Sequence, residues 1–578
     1  MREYTNPVYP HSFPDPFVLK FRGEYWGYCT GFWHDGRAFG IVRSRDLMDW
    51  QPMAGALEPL PGGHTCYWAP EVAYLDGRFH LYYSVGNEER MEIRVAVSDH
   101  PGGPFADSGR RLTSEPFAID AHVFQESGER WLFYATDFLA GSHIGTGTVR
   151  DRMIDPFTLA GDPRPVALPR HDWHVYHPNR PEKGFVRWHT VEGPFVLKRK
   201  GVYYEMFSGG NWQNPTYGVS YATARELDDP GEWAQAADGE RVLPILRTTG
   251  EVVGPGHNSV VRGPDNRQLY CVYHRWSPDL SARVMAIDPL DWAGERMLVL
   301  GPTTTPQPGP IPPTISDLLD APAVLAVGEE IRYETGSPSF LVEVSVRRIE
   351  ERAGLTILLG GGPLRVDLGG PGTHLLRLDV DGSSVLLSVD GAAPWRGRTG
   401  GEIKDLAFAA EGGAVELSGF ALTAGWEDLY LEDGNRETGW RVEAGRLRPV
   451  NHEAAWIVKG PALVSWLAVV NARLEGEGWY GFGLDPGPRI RLARRGKDWI
   501  LGTGEHILPL PGSFDPSIDQ QFRLRKVGSR LEIGWEGLGL GALEVSPGPA
   551  RLAMGAAGEG ASFEATRLTV VLEGELEV

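Results

Sequence analysis

Residues 13–30 read FPDPFVLKFRGEYWGYCT, and the rest of the N-terminal half repeats this unit with variations. An aspartate between two prolines, Asp15, precedes an apolar run, and a turn at Arg22-Gly23 leads into a run rich in aromatic residues. Two such runs joined by a glycine turn are typical of a β-hairpin. The stretch therefore predicts a hairpin with an acid at its mouth.

The turn and the aromatic strand recur along the first half of the chain. Further copies lie at residues 77–84, 128–136, 201–208 and 265–274, and a third strand follows each copy. Recurrence of one unit indicates a repeat architecture, and each unit has room for four antiparallel strands. The sequence predicts an all-β chain that begins with a five-bladed β-propeller. A β-sandwich with chance similarity is the alternative.

Length and composition agree with this fold class. A chain of 578 residues exceeds one ordinary core, and 74 glycines, 45 prolines and 10% aromatic residues favour β-structure with many turns. The net charge of −20 argues against nucleic acid or an anionic membrane as partner. A neutral substrate is expected, and the oligomeric state stays open.

The N-terminus and the cysteines bear on location. The opening residues MREYTNPVYP hold no apolar segment, and no run of 18 apolar residues occurs, so neither a signal peptide nor a membrane span is expected. Cys29, Cys66 and Cys271 lie in strand-like contexts without metal-ligand spacing and are predicted to be buried free thiols. A cytoplasmic location is expected.

Each apolar strand that precedes an aromatic strand has a polar residue near its start. In a propeller the first strand of each blade lines the central channel, so these residues are predicted to occupy equivalent places around one axis. The five are Asp15, Glu71, Asp120, Glu192 and His257. The alternative is that Asp15, Asp120 and Glu192 are ordinary turn acids.

Three carboxylates at strand mouths suit glycoside hydrolysis. An inverting enzyme needs one carboxylate as base for water and one protonated carboxyl as acid for the leaving group. A third carboxylate near the acid raises its pKa by like-charge repulsion. Glu71, which follows Trp68-Ala69-Pro70, is interpreted as an orienting or structural partner.

Other side chains are candidates for binding sugar. Aromatic rings pack on sugar C–H faces, and Arg275 at the end of the fifth aromatic strand could reach a carboxylate or a hydroxyl. The aromatic candidates, for which packing between blades is the alternative, are Phe32, Trp33, Trp68 and Trp212. The histidines of HDWHVYHP, residues 171–178, are interpreted as a loop that borders the cleft, with metal binding as the alternative.

Six motifs follow one another between residues 6 and 310: Pro14-Asp15-Pro16, Trp68-Ala69-Pro70-Glu71, Ile119-Asp120, Glu192-Gly193-Pro194, Gly256-His257-Asn258 and Tyr273-His274-Arg275. In identity and order they resemble glycoside hydrolase family 43, a family of five-bladed propellers that hydrolyse arabinose- or xylose-containing glycans with inversion. The resemblance implies Asp15 as general base, Glu192 as general acid and Asp120 as pKa modulator. It also implies His257 near the axis, beside a calcium ion held through water.

The second half of the chain predicts two related modules. Residues 1–301 would form the propeller and the proline-rich residues 302–316 a connector without sheet pairing. The stretch 376–391 aligns without gaps to 522–537, which predicts lectin-like β-sandwiches at residues 317–425 and 426–578. Carbohydrate binding, a loop that closes one side of the active funnel, and a stabilising appendage are the alternative roles.

The main hypothesis is an exo-acting inverting α-L-arabinofuranosidase that acts on plant-derived oligosaccharides. The Asn6-Pro7-Val8 start and the stretch 207–212 resemble the arabinofuranosidase branch. A β-xylosidase, alone or bifunctional, is the nearest alternative. An endo-arabinanase is less favoured, because loops and appended modules could block an open groove. A non-catalytic glycan-binding propeller is the alternative of a different class.

Overall fold

The protein is described here from a computed structural model. It describes residues 2–184, 186–237, 244–360, 362–370, 372–392, 394–401, 403–427, 436–437, 439–450, 453–503 and 506–570. Strands dominate, and the helices of the described part are two short 3₁₀ turns, Asp172–His174 and Pro181–Lys183. No helix in those ranges is long and apolar enough to cross a membrane.

The first 300 residues form the five blades of a propeller, whose inner strands begin at Phe17, Cys66, Ala118, Val186 and Gly256. Pairing within the blades is antiparallel, and a short parallel pairing of Gly145–Thr146 with His189–Thr190 joins blades III and IV. The strands of blade I are Phe17–Phe21, Glu24–Tyr28, Ile41–Ser44 and Gln51–Pro52. Those of blade II are Cys66–Leu75, Arg78–Gly86, Met91–Ser98 and Ala106–Arg111. Those of blade III are Ala118–Glu126, Glu129–Phe138, Gly145–Asp155, Thr158–Leu159 and Arg164–Pro165.

Blades IV and V complete the ring. The strands of blade IV are Val175–Arg180, Val186–Arg199, Val202–Gly209, Gly218–Ala224, Ala234–Gln235 and Leu246–Arg247. Those of blade V are Gly256–Arg262, Leu269–Trp276, Arg283–Ala293 and Arg296–Val299. Large apolar side chains pack between neighbouring blades, and the three cysteines are buried free thiols, as predicted.

The N-terminal segment closes the ring. Strand Tyr9–Ser12 pairs with Arg283–Ala293 of blade V, so the first residues of the chain join the last blade. The Asn6 side chain extends this pairing, because it donates to the Ile287 carbonyl at 2.7 Å and accepts the Ile287 amide at 3.0 Å. Closure of this kind removes the free edge that an open ring of blades would leave.

The connector pairs in a sheet, and the prediction that it would not was wrong. Gln307–Pro308 forms a two-stranded ladder with Glu3–Tyr4, and the Gly309 amide donates to the Arg2 carbonyl at 2.8 Å. The physical reason is that Gln307 and Gly309 keep backbone donors among the prolines. The connector therefore fastens the N-terminus of the propeller.

Two β-sandwiches follow, here called sandwich 1 and sandwich 2. Sandwich 1 packs Ile315–Asp317, Ala323–Leu325, Ser339–Arg348, Thr373–Asp381, Ser384–Val389, Trp395–Arg398 and Val415–Glu427 on Glu330–Glu334, Gly354–Leu359, Gly362–Val366 and Asp405–Glu411. The first sheet of sandwich 2 comprises Arg436–Glu437, Trp440–Glu443, Arg446–Pro449, Trp466–Leu474, Gln520–Val527, Arg530–Trp535, Leu538–Glu544 and Ala561–Val570. The second comprises Ala455–Leu463, Trp479–Asp485, Arg489–Arg495, Asp498–Gly502, Ile507–Pro509 and Ala550–Ala557.

The two sandwiches contain the repeat seen in the sequence and share one sheet. The aligned stretches form hairpins of identical register, with Leu376 opposite Val389 in one and Phe522 opposite Trp535 in the other. Strand Val415–Glu427 belongs to sandwich 1 and pairs at its end with Ala561–Val570 of sandwich 2. The predicted boundary at 425/426 falls inside this strand, and the domain limits stay a prediction.

The sandwiches contact the propeller on its base, the face formed by the turns that end the inner strands. Arg22 in the turn of blade I donates to Thr373 at 2.9 Å, and Lys200 in the turn of blade IV donates to Glu564 at 2.7 Å. The inner strands begin at the opposite face, so these two contacts lie away from the start of the funnel. The role of the sandwiches stays a prediction.

Candidate active site

The inner strands of the five blades begin at one end of the propeller and share a kink. In each blade one residue near the strand start has a positive φ, between 45° and 61°, and the pairing with the second strand shifts register there in blades II to V. These residues are Asp15, Ala69, Asp120, Gly193 and His257. A β-bulge of this kind turns a side chain out of the ladder, so the five kinks line a common space, here called the funnel.

The positions of the kinks show that two of the five polar residues predicted to be equivalent are not. Asp15, Asp120 and His257 occupy the same position, as expected, but Glu192 precedes the kink of blade IV by one residue. Glu71 follows the kink of blade II by two residues. The physical reason is that the backbone conformation, not the polar residue, repeats from blade to blade.

The backbone amide at each kink is held by the preceding blade. In four blades the acceptor is a side chain at the end of the previous second strand, at 2.7–3.2 Å: His274 for Asp15, Thr30 for Ala69, Ser84 for Asp120 and Ser208 for His257. Blade IV differs, because the Gly193 amide donates to the Asp120 carboxylate at 3.0 Å. Asp120 thereby fixes the backbone next to Glu192.

Asp15 lies in a cationic and polar surrounding. Its Oδ1 accepts from the Arg283 guanidinium at 2.8 Å and lies 3.1 Å from His274 Nδ1 and 3.6 Å from His257 Nδ1. Burial alone would raise the pKa of Asp15, but Arg283 above all holds that pKa well below its usual range. Burial lowers the pKa of His274 to about 4, so this ring is neutral near pH 7. Asp15 is ionised throughout the neutral range.

Glu192 has a raised pKa, in contrast to Asp15. Burial, foremost, raises its pKa to about 7, and the negative charge of Asp15 acts in the same direction. Burial and the charges of Glu192 and Asp15 also raise the pKa of Asp120 well above its usual range. Asp120 and Glu192 therefore titrate as one coupled pair, which keeps a proton available to Glu192 near neutral pH. The Tyr217 hydroxyl donates to Glu192 Oε1 at 2.8 Å and orients it.

One ionised and one protonated carboxyl in a shared funnel can act as base and acid. An ionised Asp15 can take a proton from water, and a protonated Glu192 can give one to a leaving oxygen. The funnel narrows beneath them to a space of about 20 Å³, enough for one water-sized particle. This arrangement suits hydrolysis of a glycosidic bond.

Comparison with known proteins agrees with this chemistry. The family model described as "Glycosyl hydrolases family 43" matches residues 4–297, slightly more than half of the chain. The chain belongs to this family. It is a glycoside hydrolase, and the resemblance inferred from the six motifs is confirmed.

This family 43 enzyme is similar to two curated relatives and to one protein with a crystal structure. Beta-D-galactofuranosidase xynD of Aspergillus niger is 31% identical over 294 residues, which are 47% of this chain and 76% of that protein. An extracellular exo-alpha-(1->5)-L-arabinofuranosidase of Streptomyces avermitilis is 26% identical over 51% of this chain and 60% of its own length. The crystal structure of a thermostable family-43 glycoside hydrolase is 33% identical, with a TM-score of 0.48, over 53% of this chain and 99% of that one.

The aromatic candidates of the family 43 enzyme differ in their surroundings. Phe32 is 54% exposed at the mouth side, with its ring 5.2 Å from that of Tyr67. Trp212 stacks parallel to Trp276 at 6.2 Å and carries the Arg283 guanidinium 4.3 Å from its ring. Trp212 is thus connected to Asp15 through Arg283, and the sugar-binding role of both aromatic residues stays a prediction.

Trp33 and Trp68 are partly buried in packing clusters. The Trp33 indole donates to the Met53 carbonyl at 2.8 Å and covers Gly40. Trp68 packs against the buried cluster around Ile119 at the contact of blades II and III. These contacts correspond to the alternative of packing between and within blades.

Glu71 is a structural partner. Its Oε2 lies 2.9 Å from His122 Nδ1, and its Oε1 accepts the Val123 amide at 2.8 Å. Because His122 and Val123 belong to the inner strand of blade III, Glu71 ties blade II to blade III directly beneath the acids.

Arg283, and not the predicted Arg275, contacts the carboxylate of Asp15. Arg275 is buried and donates to the Thr303 carbonyl of the connector at 3.3 Å. His274, the preceding residue, faces Asp15, and neighbouring residues of a strand point to opposite sides. That alternation could have excluded Arg275 from the funnel.

Arg283 and Tyr217 were not predicted as site residues. Both stand at the start of a third strand, in blades V and IV respectively, and third strands start at the same face as inner strands. A polar residue at that position was therefore the signal that could have found them.

The histidine loop borders the funnel without assembling a metal site. His174 is buried and its Nδ1 accepts the Arg170 amide at 3.1 Å, while the Asn211 amide group donates to the Tyr176 carbonyl at 2.9 Å. Within the described residues, the one group of potential metal ligands is Asp120, Glu192 and His257, whose donor atoms lie within 4.8 Å of one another.

Proposed function

We propose that this enzyme is an exo-acting, inverting α-L-arabinofuranosidase that releases terminal arabinose from oligosaccharides. The observation that carries the proposal is the pairing of an ionised Asp15 with a protonated Glu192 in one buried funnel. Asp15 takes a proton from water as the water oxygen bonds to the anomeric carbon. Glu192 gives its proton to the glycosidic oxygen as the bond between that oxygen and the anomeric carbon breaks.

The depth of the site supports exo action. Asp15 and Asp120 are 8% and 6% exposed, so the scissile bond must enter a recess to reach them. A terminal sugar can enter a recess, whereas an internal unit of a polymer needs a groove that is open at two ends.

A five-membered sugar ring is supported by the relatives. The names of both the Aspergillus niger and the Streptomyces avermitilis proteins specify furanosides, although one is a galactofuranoside and the other an arabinofuranoside. The second candidate substrate is therefore a β-D-galactofuranoside, and a β-D-xyloside remains the alternative from the sequence.

We further propose that any calcium ion in the funnel is held through water, with His257 beside it. Calcium takes about six to eight oxygen ligands, whereas His257 offers a ring nitrogen beside the carboxyls of Asp120 and Glu192. Contact with the ion through water would leave Glu192 able to keep its proton. Dialysis against a chelator should lower the activity, and calcium should restore it; full activity after chelation would contradict an ion requirement.

A panel of aryl glycosides tests the proposed substrate. We expect the highest kcat/KM on the aryl α-L-arabinofuranoside, with the β-D-galactofuranoside second and the β-D-xylopyranoside third. A preference for the xyloside would contradict the furanoside assignment. Inactivity on all three, together with retained glycan binding in Asp15→Ala, would instead support a non-catalytic propeller.

A further inference from the structure

The inner strand of blade IV extends further past its kink, on the mouth side, than those of the other blades. It begins at Val186, seven residues before the kink at Gly193, whereas the inner strand of blade II begins three residues before its kink at Ala69 and the others begin closer still. The extension pairs with Val175–Arg180, and the two form a hairpin, here called the blade IV hairpin. Because Glu192 precedes the kink by one residue, this hairpin continues along the chain from the acid.

Contacts on two sides hold the blade IV hairpin in place. The side chain of Asn211, which precedes Trp212, donates to the Tyr176 carbonyl at 2.9 Å. On the other side, Lys183 donates to the Asp137 carboxylate of blade III at 2.8 Å, and the Asp137 side chain is only 14% exposed. The hairpin is therefore a fixed wall beside the funnel.

Arg180 lies on the same face of this hairpin as the acid. Side chains alternate along a strand, so Trp188 points to the same side as Glu192, and Arg187 points to the other. The Arg180 guanidinium packs over the Trp188 ring at 5.0 Å and over the Tyr176 ring at 5.2 Å. The face that carries Glu192 therefore continues into an aromatic patch with a guanidinium on it.

The hydrogen-bonding capacity of the Arg180 guanidinium is largely unused. Its one ion pair among the described residues joins Nε to Glu182 at 3.7 Å, which is longer than a hydrogen bond, and the Glu182 side chain is 66% exposed. Exposed pairs of this kind are weak. Arg283 and Lys183, by contrast, bond their carboxylates at 2.8 Å. Since the Arg180 side chain is 22% exposed, a ligand can reach its donors.

The charge of Arg180 also acts on the acid. Burial, foremost, raises the pKa of Glu192, and the positive charge of Arg180 opposes that rise. Burial likewise raises the pKa of Tyr176, and the negative charge of Glu192 is the next cause. Arg180 and Tyr176 therefore both lie within electrostatic range of Glu192, as the shared face of the hairpin requires.

The acid marks the side from which the leaving group departs. In glycoside hydrolysis the general acid protonates the glycosidic oxygen, so a wall that continues from the acid faces the unit that leaves with this oxygen. We propose that Arg180 determines specificity for the leaving group, by donating hydrogen bonds to the hydroxyl oxygens of a departing sugar unit. A guanidinium offers five N–H donors in a fixed fork, and sugar hydroxyls accept such bonds. The inference rests on the proposed role of Glu192 as acid.

A disaccharide and an aryl glycoside with the same terminal sugar test this role, because only the disaccharide has hydroxyls on its leaving group. The terminal sugar is the one that the panel of aryl glycosides prefers, so an error in the proposed substrate does not decide the result. In Arg180→Met we expect kcat/KM to fall about 10–100-fold more on the disaccharide than on the aryl glycoside. Both rates are measured well below the alkaline limb of the pH profile, where Glu192 keeps its proton in either protein.

Arg187→Met is the matched control. Arg187 belongs to the same hairpin, points away from the face of Glu192 and pairs with Asp172 at 2.9 Å, with 56% of its side chain exposed. This variant should keep the ratio of the two rates that the unaltered enzyme shows. Equal losses on the two substrates in Arg180→Met, as for a residue that only supports the hairpin, would overturn the role of Arg180 alone. Inactivity of the unaltered enzyme on every aryl glycoside would overturn the proposed function and this inference together.

Discussion

At the scale of single residues, catalysis depends on two carboxyls whose pKa values are moved in opposite directions. Arg283 keeps Asp15 ionised, while burial keeps the proton on Glu192. Removing the acid should matter most for a poor leaving group, because only such a group needs a proton. For Glu192→Gln we expect kcat on an alkyl glycoside to fall about 10²–10⁴-fold, and on a dinitrophenyl glycoside far less.

Glu205→Gln is the matched control for this variant. Glu205 is a fully buried carboxyl of the same blade whose pKa burial raises to about 8, and it bonds Thr148 and no group of the funnel. Near neutral pH it is already uncharged, so the amide should leave both rates unchanged. A loss in Glu192→Gln that is equal for both leaving groups would contradict the role of Glu192 as acid.

The pH profile should be bell-shaped, and its two limbs belong to different residues. Activity should be lost as the pH rises through about 7, because Glu192 then gives up the proton that the leaving group needs. Activity should be lost at low pH as Asp15 becomes protonated, and its lowered pKa places this limb well into the acid range.

Removal of Arg283 should move the acid limb most. In Arg283→Met the Asp15 carboxyl loses its cation, so the acid limb of kcat/KM against pH should shift to higher pH. Because Arg283 also lowers the pKa of Glu192, the alkaline limb should shift in the same direction by a smaller amount. Arg225→Met, at an exposed arginine that pairs with Glu295, serves as the control. If the acid limb stays at the same pH in Arg283→Met, Arg283 does not lower the pKa of Asp15.

At the scale of elements, the kink of each inner strand positions the site. Gly193 has φ of +60°, and an added Cβ would lie 3.3 Å from His257 Nδ1. We expect Gly193→Ala to displace Glu192 and to lower kcat about 100-fold. Kinetics and a thermal melt of the purified variant measure the two effects separately.

Gly128→Ala provides the matched comparison. Gly128 has φ of +84° in the base turn of blade III, and an added Cβ would meet no atom within 4 Å. Both variants should lose similar stability, about 1–2 kcal/mol from the left-handed backbone, but Gly128→Ala should keep its kcat. Equal kcat in the two variants would show that the kink of blade IV does not position Glu192.

Hydrophobic and turn periodicity predicted the five blades, whereas the exact register of the acids was not predicted. The sequence prediction treats the polar residues near the strand starts as equivalent, which places Glu71 and Glu192 at the position of Asp15. An alignment on the prolines that follow the kinks in three blades, Pro16, Pro70 and Pro194, would have recovered the register. Left-handed backbone at non-glycine residues has weak sequence signals, so the kinks required the structure.

At the scale of the whole molecule, ion pairs between distant residues join the sandwiches to the base. Asp291 of blade V accepts from Arg567 at 2.8 Å and from Arg523 at 3.5 Å, and all three are largely buried. Such pairs join segments more than 200 residues apart, and nothing local in the sequence marks them. The position of the sandwiches therefore could not be predicted, although their fold and repeat could.

Removal of Asp291 should destabilise this junction without affecting catalysis. In Asp291→Ala two arginines lose their shared anion, so we expect a loss of the order of 3 kcal/mol in the free energy of unfolding. Denaturant melts measure this loss, and kcat/KM should be unchanged because the funnel lies at the opposite face. Asp99→Ala, which breaks an exposed pair with Arg78, should cost less than about 1 kcal/mol. Comparable losses in the two variants would argue against a stabilising junction.

The central claim is a single displacement in which Asp15 activates water and Glu192 protonates the leaving oxygen. Proton NMR during early turnover of an aryl α-L-arabinofuranoside, before the sugar mutarotates, identifies the first anomer released. We expect β-L-arabinofuranose, the inverted product. First release of the α-anomer would mean a covalent intermediate and would contradict the role of Asp15 as base for water.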